Sequence, residues 1–484
     1  MRAPRRSRLA PSASSLAPRL VAASALSALC GGCIAQDAGY ADVRRVVHDR
    51  VGQDVRWRAV ESGGSLTGDE TKALLDKPLS AESAVRLAVL NNHDLQAAFE
   101  ELGIARARLV SAVALPNPEL TGWIGFVHGS RADLTFAVTE SVSDLLWLPL
   151  RESAARAELD AAKLGVVGRV LDLVFAVKVA FYEHEAAKRI LSLTRTTRDA
   201  AEASFEAALR LHDAGNIPDL DFLNQQALRE ESAAAAEEAA VEGSRAAARL
   251  SLLLGVPLPS SAIASGKGEA PDVSALPPTE LDVARLDGRA LERSLDVEIA
   301  RREGYAASRR ASLARATGLL PDLRAGVEAE RLDVWALGPV AALRFPLFYQ
   351  GQGEVSEAEA GMRRATETRA ALLARVGAEA KLAGERLFAA RTRVIRYEKE
   401  ILPLRRRIVE ETLLRYNAMG VGVFQLLAAK RDQLDAELRY ARAVRDYCVV
   451  RTEVELFLAG RLPASRPSSQ MPAAPLGGAP SAHE

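Results

Sequence analysis

The stretch RYNAMGVGVFQLLAAKRDQ, Arg415 to Gln433, places Gly420 and Gly422 inside what otherwise reads as uninterrupted helix. About two hundred residues earlier RLHDAGNIPDLDFLNQQ, Arg210 to Gln226, does the same with Gly215, Asn216 and Pro218. The flanking runs, from about Glu152 to Leu211 and from about Val355 to Tyr416, are each ~60 residues, so each spans ~90 Å as helix. No compact globule needs rods of that length. The chain is therefore expected to form two long hairpins that reverse at matching tips, with returning helices from about Leu220 to Leu254 and from the second tip to about Leu458.

The two hairpins belong to a repeat. LPNPEL answers LLPDL, LPL answers FPL, and DAGNIPDLDFL answers NAMGVGVFQLL, on either side of a Pro/Ser/Gly-rich linker. A helical run with Ser80 and Ser83 as caps, ending at Pro116, precedes the first hairpin, and a helix from about Leu291 to Thr317 precedes the second. The resulting division is 1–33 signal peptide, 34–78 N-terminal extension without clear periodicity, 79–255 first repeat, 256–282 linker, 283–461 second repeat and 462–484 disordered tail. Heptad-like spacing at Leu427, Leu434, Leu438, Ala441 and Cys448 predicts helices that pack on neighbours.

Between helices each repeat carries a strand pair. In the first, Leu134, Phe136 and Val138 alternate with Asp133, Thr135 and Ala137 around a turn near His128 to Ser130. In the second, Trp335, Leu337, Pro339, Ala341, Leu343 and Phe345 share one face, with Arg344 on the other; Arg324, Glu328 and Glu330 alternate with Leu323, Val327 and Ala329. The pattern is apolar outside and polar inside. After the leader no run reaches the eighteen or so apolar residues a membrane helix needs, so if the chain spans a membrane its strands do so. Four strands leave two open edges, which lipid does not tolerate; three copies would close them as twelve strands.

These residues resemble the trimeric outer-membrane factors, the TolC-like exit ducts of Gram-negative efflux and secretion systems. The likeness covers about Leu79 to Arg461 and rests on the repeat, the LPNPEL and GPVAALRFPLFYQGQG segments and the two glycine tips. RYNAMGVGVFQLLAAKRDQLDAELRYARAVRDY is similar to the heavy-metal and cation efflux branch. The resemblance implies a mainly α fold with a small β part: a trimeric α-helical barrel in the periplasm continuing a shared twelve-stranded β-barrel, four strands per chain. It further implies outer-membrane lipid around the strands, and a periplasmic adaptor and inner-membrane pump as partners. Gly215, Asn216, Gly420 and Gly422 would form the adaptor-docking tips; ordinary helix capping is the plainer reading of the same glycines. At the aperture the family places acids after the second tip, where this chain has Gln425 and Ala428, while the first tip supplies Asp219 and Asp221. Those two acids either line the pore or cap the returning helix.

The first residues read as an export signal. Arg2, Arg5, Arg6, Arg8 and Arg19 precede the apolar LVAASALSALCGGC, which ends as a simple signal peptide or as a lipobox with Cys33 acylated. The full chain has 63 basic and 63 acidic residues, so cleavage before Cys33 would leave 63 − 5 = 58 bases against 63 acids. That balance argues against nucleic acid as a partner. An enzyme reading finds little. HEAAK, His184 to Lys188, begins like a zinc motif but ends in lysine and is expected on a solvated helix face; GQGEVS, Gly351 to Ser356, has Ser356 in place of a third glycine and reads as a strand-to-helix corner. No cofactor or metal cluster is expected. A polypeptide-secretion duct shares this architecture and remains open at this stage; a periplasmic coiled-coil structural protein would leave the strand pairs unexplained.

Overall fold

The computed structural model describes residues 37–57, 66–76, 78–126, 133–258, 281–319, 323–331, 334–344 and 347–463. In chain order these form α1 (Tyr40–Val51), α2 (Leu66–Leu75), α3 (Ala81–Asn91), α4 (His93–Val113), β1 (Glu119–Gly125), β2 (Asp133–Ser141), α5 (Val142–Asp213) and α6 (Asp219–Leu254). There follow α7 (Leu286–Arg293), α8 (Leu295–Leu319), β3 (Leu323–Arg331), β4 (Trp335–Leu343), α9 (Gln352–Arg396), a π-helical turn (Tyr397–Ile401), α10 (Leu402–Asn417) and α11 (Val423–Leu458). The second series repeats the order of α3 to α6. Cys33, the His128 to Ser130 turn and Phe345 lie outside the described residues.

Several helix boundaries differ from expectation, each for a local reason. Two helices, α1 and α2, occupy part of the segment expected to lack periodicity; Tyr40, Val43 and Val47 of α1 are buried, a three-four spacing that fits one helical face. The run expected between Ser80 and Pro116 is two helices, because Asn92 accepts from the Leu95 amide at 2.9 Å and so caps a new helix. Ser80 does cap α3, in a reciprocal box with Ser83 (3.1 and 2.8 Å). Ser294 splits the second repeat in the same way, its Oγ accepting from Val297 N–H at 3.2 Å. Helix α5 starts ten residues before Glu152, capped by Ser141, and absorbs Pro149 rather than ending there. With 72 residues it is ~108 Å long.

The repeats meet where their returning helices end. Gly255, φ +68°, closes α6 so tightly against Asn91 that an added Cβ would lie 2.6 Å from its carbonyl oxygen, and Asn92 Nδ2 donates to Leu253 O at 3.0 Å. Gly460, φ +88°, does the same for α11, with Leu295 N–H donating to its carbonyl at 2.7 Å. Arg461 clasps Asp172 with two bonds of 2.9 and 2.7 Å and also binds Asp296, tying α5 to α8. Around these joints the largest core packs Phe99, Leu102, Leu171, Leu250 and Leu295 at full burial, while a second core lies between α9 and α11.

Candidate functional site

The four strands form one antiparallel sheet in the order β1-β2-β3-β4. Its register pairs Phe136 with Ala329, Ala329 with Leu337, and Val138 with Val327, which fixes the composition of each face. One face holds Leu120, Leu134, Phe136, Val138, Val327, Trp335 and Leu337, and Phe136 stacks on Trp335 with ring centroids 6.5 Å apart. The other carries Thr121, Asp133, Thr135, Glu328, Glu330 and Arg324. Leu120 (71%) and Leu337 (78%) are exposed in the single chain, as a wall facing lipid requires and a wall facing water does not. Nine-residue strands such as β3 run ~30 Å, which tilted by ~40° spans ~23 Å, close to the ~25 Å apolar band of an outer-membrane barrel. Among the described residues no helix is long and apolar enough to cross a membrane. Among the described residues, edges β1 and β4 have no partner strand.

No protein-family model matches the chain. In sequence it is 25% identical over 369 residues, 75% of its length, to the cobalt-zinc-cadmium resistance protein CzcC of Cupriavidus metallidurans, covering 86% of that protein. In structure it is similar to the Campylobacter jejuni CmeC outer-membrane channel (TM-score 0.64, 15% identity, 82% of this chain and 87% of that one). The open state of the Neisseria gonorrhoeae MtrE outer-membrane channel is comparable (TM-score 0.62, 17% identity, 79% and 89%). In fold the chain is similar to the TolC-like outer-membrane channels.

The chain turns its hairpins back through two five-residue connections, 214–218 and 418–422. At the first, the amides of Gly215 and Asn216 donate to His212 O and Leu211 O, both at 2.8 Å. At the second, the amides of Met419 and Gly420 donate to Tyr416 O at 2.9 Å and Arg415 O at 2.8 Å. These are the paired bonds that close a helix through one left-handed residue. In the first tip that residue is Gly215, φ +69°, as a glycine is expected to be. The expectation fails at Gly420: the left-handed residue is Met419, φ +58°, and Gly420 follows it. Gly422 is extended and caps α11 (φ −79°), with open space where a Cβ would stand.

The first tip is also clasped by side chains. The His212 ring stacks on Phe222 at 4.7 Å, Phe222 meets Phe205 at 5.7 Å, and Arg229 lies 4.2 Å over the Phe205 ring. Asp219 is the first residue of α6 rather than its cap, which is Pro218; its carboxylate bonds His212 Nε2 at 2.9 Å. Asp221 lies in the same first turn, where both acids complement the helix dipole. Gln425 opens on a groove between α10 and α11, and Ala428 borders a cavity of about 60 Å³ between α5, α6 and α11.

Residues His184 to Lys188 do not form the solvated face expected of them. His184 is 3% and Glu185 4% exposed, because α5 is enclosed by helices here, and His184 Nδ1 and Glu185 Oε2 have no hydrogen-bond partner. Glu185 does bind Lys188 at 3.2 Å, and burial holds His184 down to about 4, so the ring stays neutral. Gly351, φ +73°, forms the strand-to-helix corner ahead of α9. Among the described residues no group of three or more His, Cys, Asp or Glu is placed to hold a metal ion.

Proposed function

We propose that this chain is the outer-membrane exit duct of a tripartite efflux system, a homotrimer that conducts substrate passively from an inner-membrane pump and periplasmic adaptor to the outside. The carrying observation is the sheet: one face fit for lipid, one fit for water, and two edges unpaired among the described residues, which further copies can pair. Three copies at four strands each make a twelve-stranded barrel. The two tips are the adaptor-docking end, through Gly215, Asn216, Gly420 and Gly422. Cys33 carries lipid and adds an anchor to the barrel, so Cys33→Ser should abolish acyl labelling and leave assembly intact. The division into leader, extension, two repeats, linker and tail is part of the same reading.

The cargo is cationic. On the polar face Glu119 is paired with Arg324, whereas Asp133, Glu328 and Glu330 have no ion-pair partner among the described residues. Three copies would set these carboxylates in rings around the lumen, with Asp219 and Asp221 adding acid at the tips and Gln425 and Ala428 adding none. Similarity to a cobalt-zinc-cadmium resistance protein supports metal cations in particular. The test is the reversal potential of single channels in a salt gradient. Glu328→Gln with Glu330→Gln should lower cation over anion permeability with the trimer intact, and Asp219→Asn with Asp221→Asn should lower it further. Unchanged selectivity in both would contradict the cationic reading.

A further inference from the structure

Trp123 lies on the opposite face of the sheet from a membrane anchor. In β1 the apolar row is Leu120 and Ile124, which pair with Val138 and Leu134 on the lipid side. Trp123 pairs with Thr135 and so belongs to the polar side, where it is 60% exposed. A tryptophan that belts a membrane faces lipid at headgroup level, and on this sheet Trp335, stacked on Phe136, has that place. The Trp123 indole instead faces the water-filled side, lying along its own strand over Gly125. An added Cβ at Gly125 would run into the ring, so the glycine is what lets it lie flat.

Two carboxylates border that ring. Asp133 is directly opposite Gly125, and Thr135 pairs with Trp123 on one side and with Glu330 on the other. Neighbouring strands are about 5 Å apart, so the β1 and β3 backbones stand roughly 10 Å apart with a threonine as the floor between them. Asp133 and Glu330 are diagonal neighbours on adjacent strands, with about 7–8 Å between backbones. Neither has an ion-pair partner among the described residues, and beyond Glu330 the next strand offers only Ala336. Arg324, on the same face, is six residues from Glu330 along β3 and is held by Glu119.

An indole face beside two unpaired carboxylates favours one kind of cation. A strongly hydrated metal ion keeps its water and gains from the acids alone, whereas an alkylated ammonium gives up little hydration and is drawn to the ring as well. We propose that Trp123, Asp133 and Glu330 form a binding station in the barrel lumen for organic cations with a quaternary or alkylated ammonium head, one station per chain. It rests on the barrel reading and adds to it a second class of cargo, recognised by the ring rather than by charge alone. Trp123 is two residues from the end of β1 farthest from the helices, so the station is close to the outer mouth, where cargo must also leave and binding must be weak.

The experiment uses the full chain in deuterated detergent, with choline as the probe and saturation-transfer NMR of its methyl protons as the readout. Choline should give a saturable signal, and its neutral isostere 3,3-dimethylbutan-1-ol should give none. Trp123→Leu should weaken choline binding about tenfold and Trp123→Phe, which keeps a ring, by less. Glu330→Gln with Asp133→Asn should weaken it several-fold, and carries the test alone if the leucine variant fails to assemble. Native mass of each variant reports assembly. In a three-chain particle, choline binding that is absent, indifferent to these substitutions or matched by the neutral isostere would overturn the station and leave the duct standing. A one-chain particle would overturn the duct reading, and the station with it.

Discussion

The two hairpins share a backbone and differ in almost everything attached to it. Each reverses through five residues with the same pair of amide-to-carbonyl bonds. Yet the first tip uses Gly215 at its left-handed position and is held by His212, Phe222, Phe205 and Arg229, whereas the second places Met419 there, 94% exposed. Above the tips, α5 runs as one helix, while its counterpart passes through a π-helical turn ahead of Pro403. The second hairpin therefore carries backbone strain that the first avoids. Duplication has conserved the hydrogen-bonded turn, and the side chains have made one hairpin a clasped post and the other a looser one.

The largest difference should appear as a pH response confined to the first hairpin. Helix α5 buries His184, whereas the buried residues of α9 are all apolar. Unfolded, a histidine titrates near 6.5; in the fold His184 is held down to about 4. In that window the unfolded chain binds a proton that the folded chain refuses. Stability is full above pH 6.5 and falls as pH drops toward 4, by at most about 3 kcal/mol per chain. Unfolding by denaturant at several pH values should show this slope, and His184→Leu should remove it.

A smaller pair of effects contrasts the tips directly. Met419→Gly should relieve the left-handed strain and stabilise the second turn by about 1 kcal/mol, while Gly215→Ala should introduce it and cost the first about as much. Hydrogen exchange of the Asn216 and Gly420 amides reads each turn separately, slowing in one variant and accelerating in the other. Phe222→Ala should loosen the first tip by about 1 kcal/mol through loss of its ring contacts, with no change at the second. Asp219→Asn should matter least, under about 1 kcal/mol, because its pair with His212 is largely in solvent.

The duplicated hairpin, the strand pairs and their two-faced pattern were legible in the sequence because period, turn residues and length all agree there. The tip glycines were legible as turns but not as backbone conformations. With Gly420 adjacent, nothing in the sequence assigns the left-handed position to Met419; only the five-residue spacing shared with 214–218 could have done so. Helix α1 was missed although Val43 and Val47 carry its face, and Asn92 was read as mid-helix because a cap inside a helical run looks like any polar residue. Burial of His184 and Glu185 was not legible, since the pattern of one helix does not say how many others surround it. Of the candidate site, the sequence pointed to both tips, but the ring clasp at His212 and Phe222 depends on a contact across the turn that only the fold provides.

The central claim is that this sheet closes by sharing its edges among three copies. Native mass measurement of the full chain purified in detergent tests it most directly. The account predicts a particle of three chains that survives dilution; a single chain with its strands inserted in membrane would contradict it, since β1 and β4 would then face lipid unpaired.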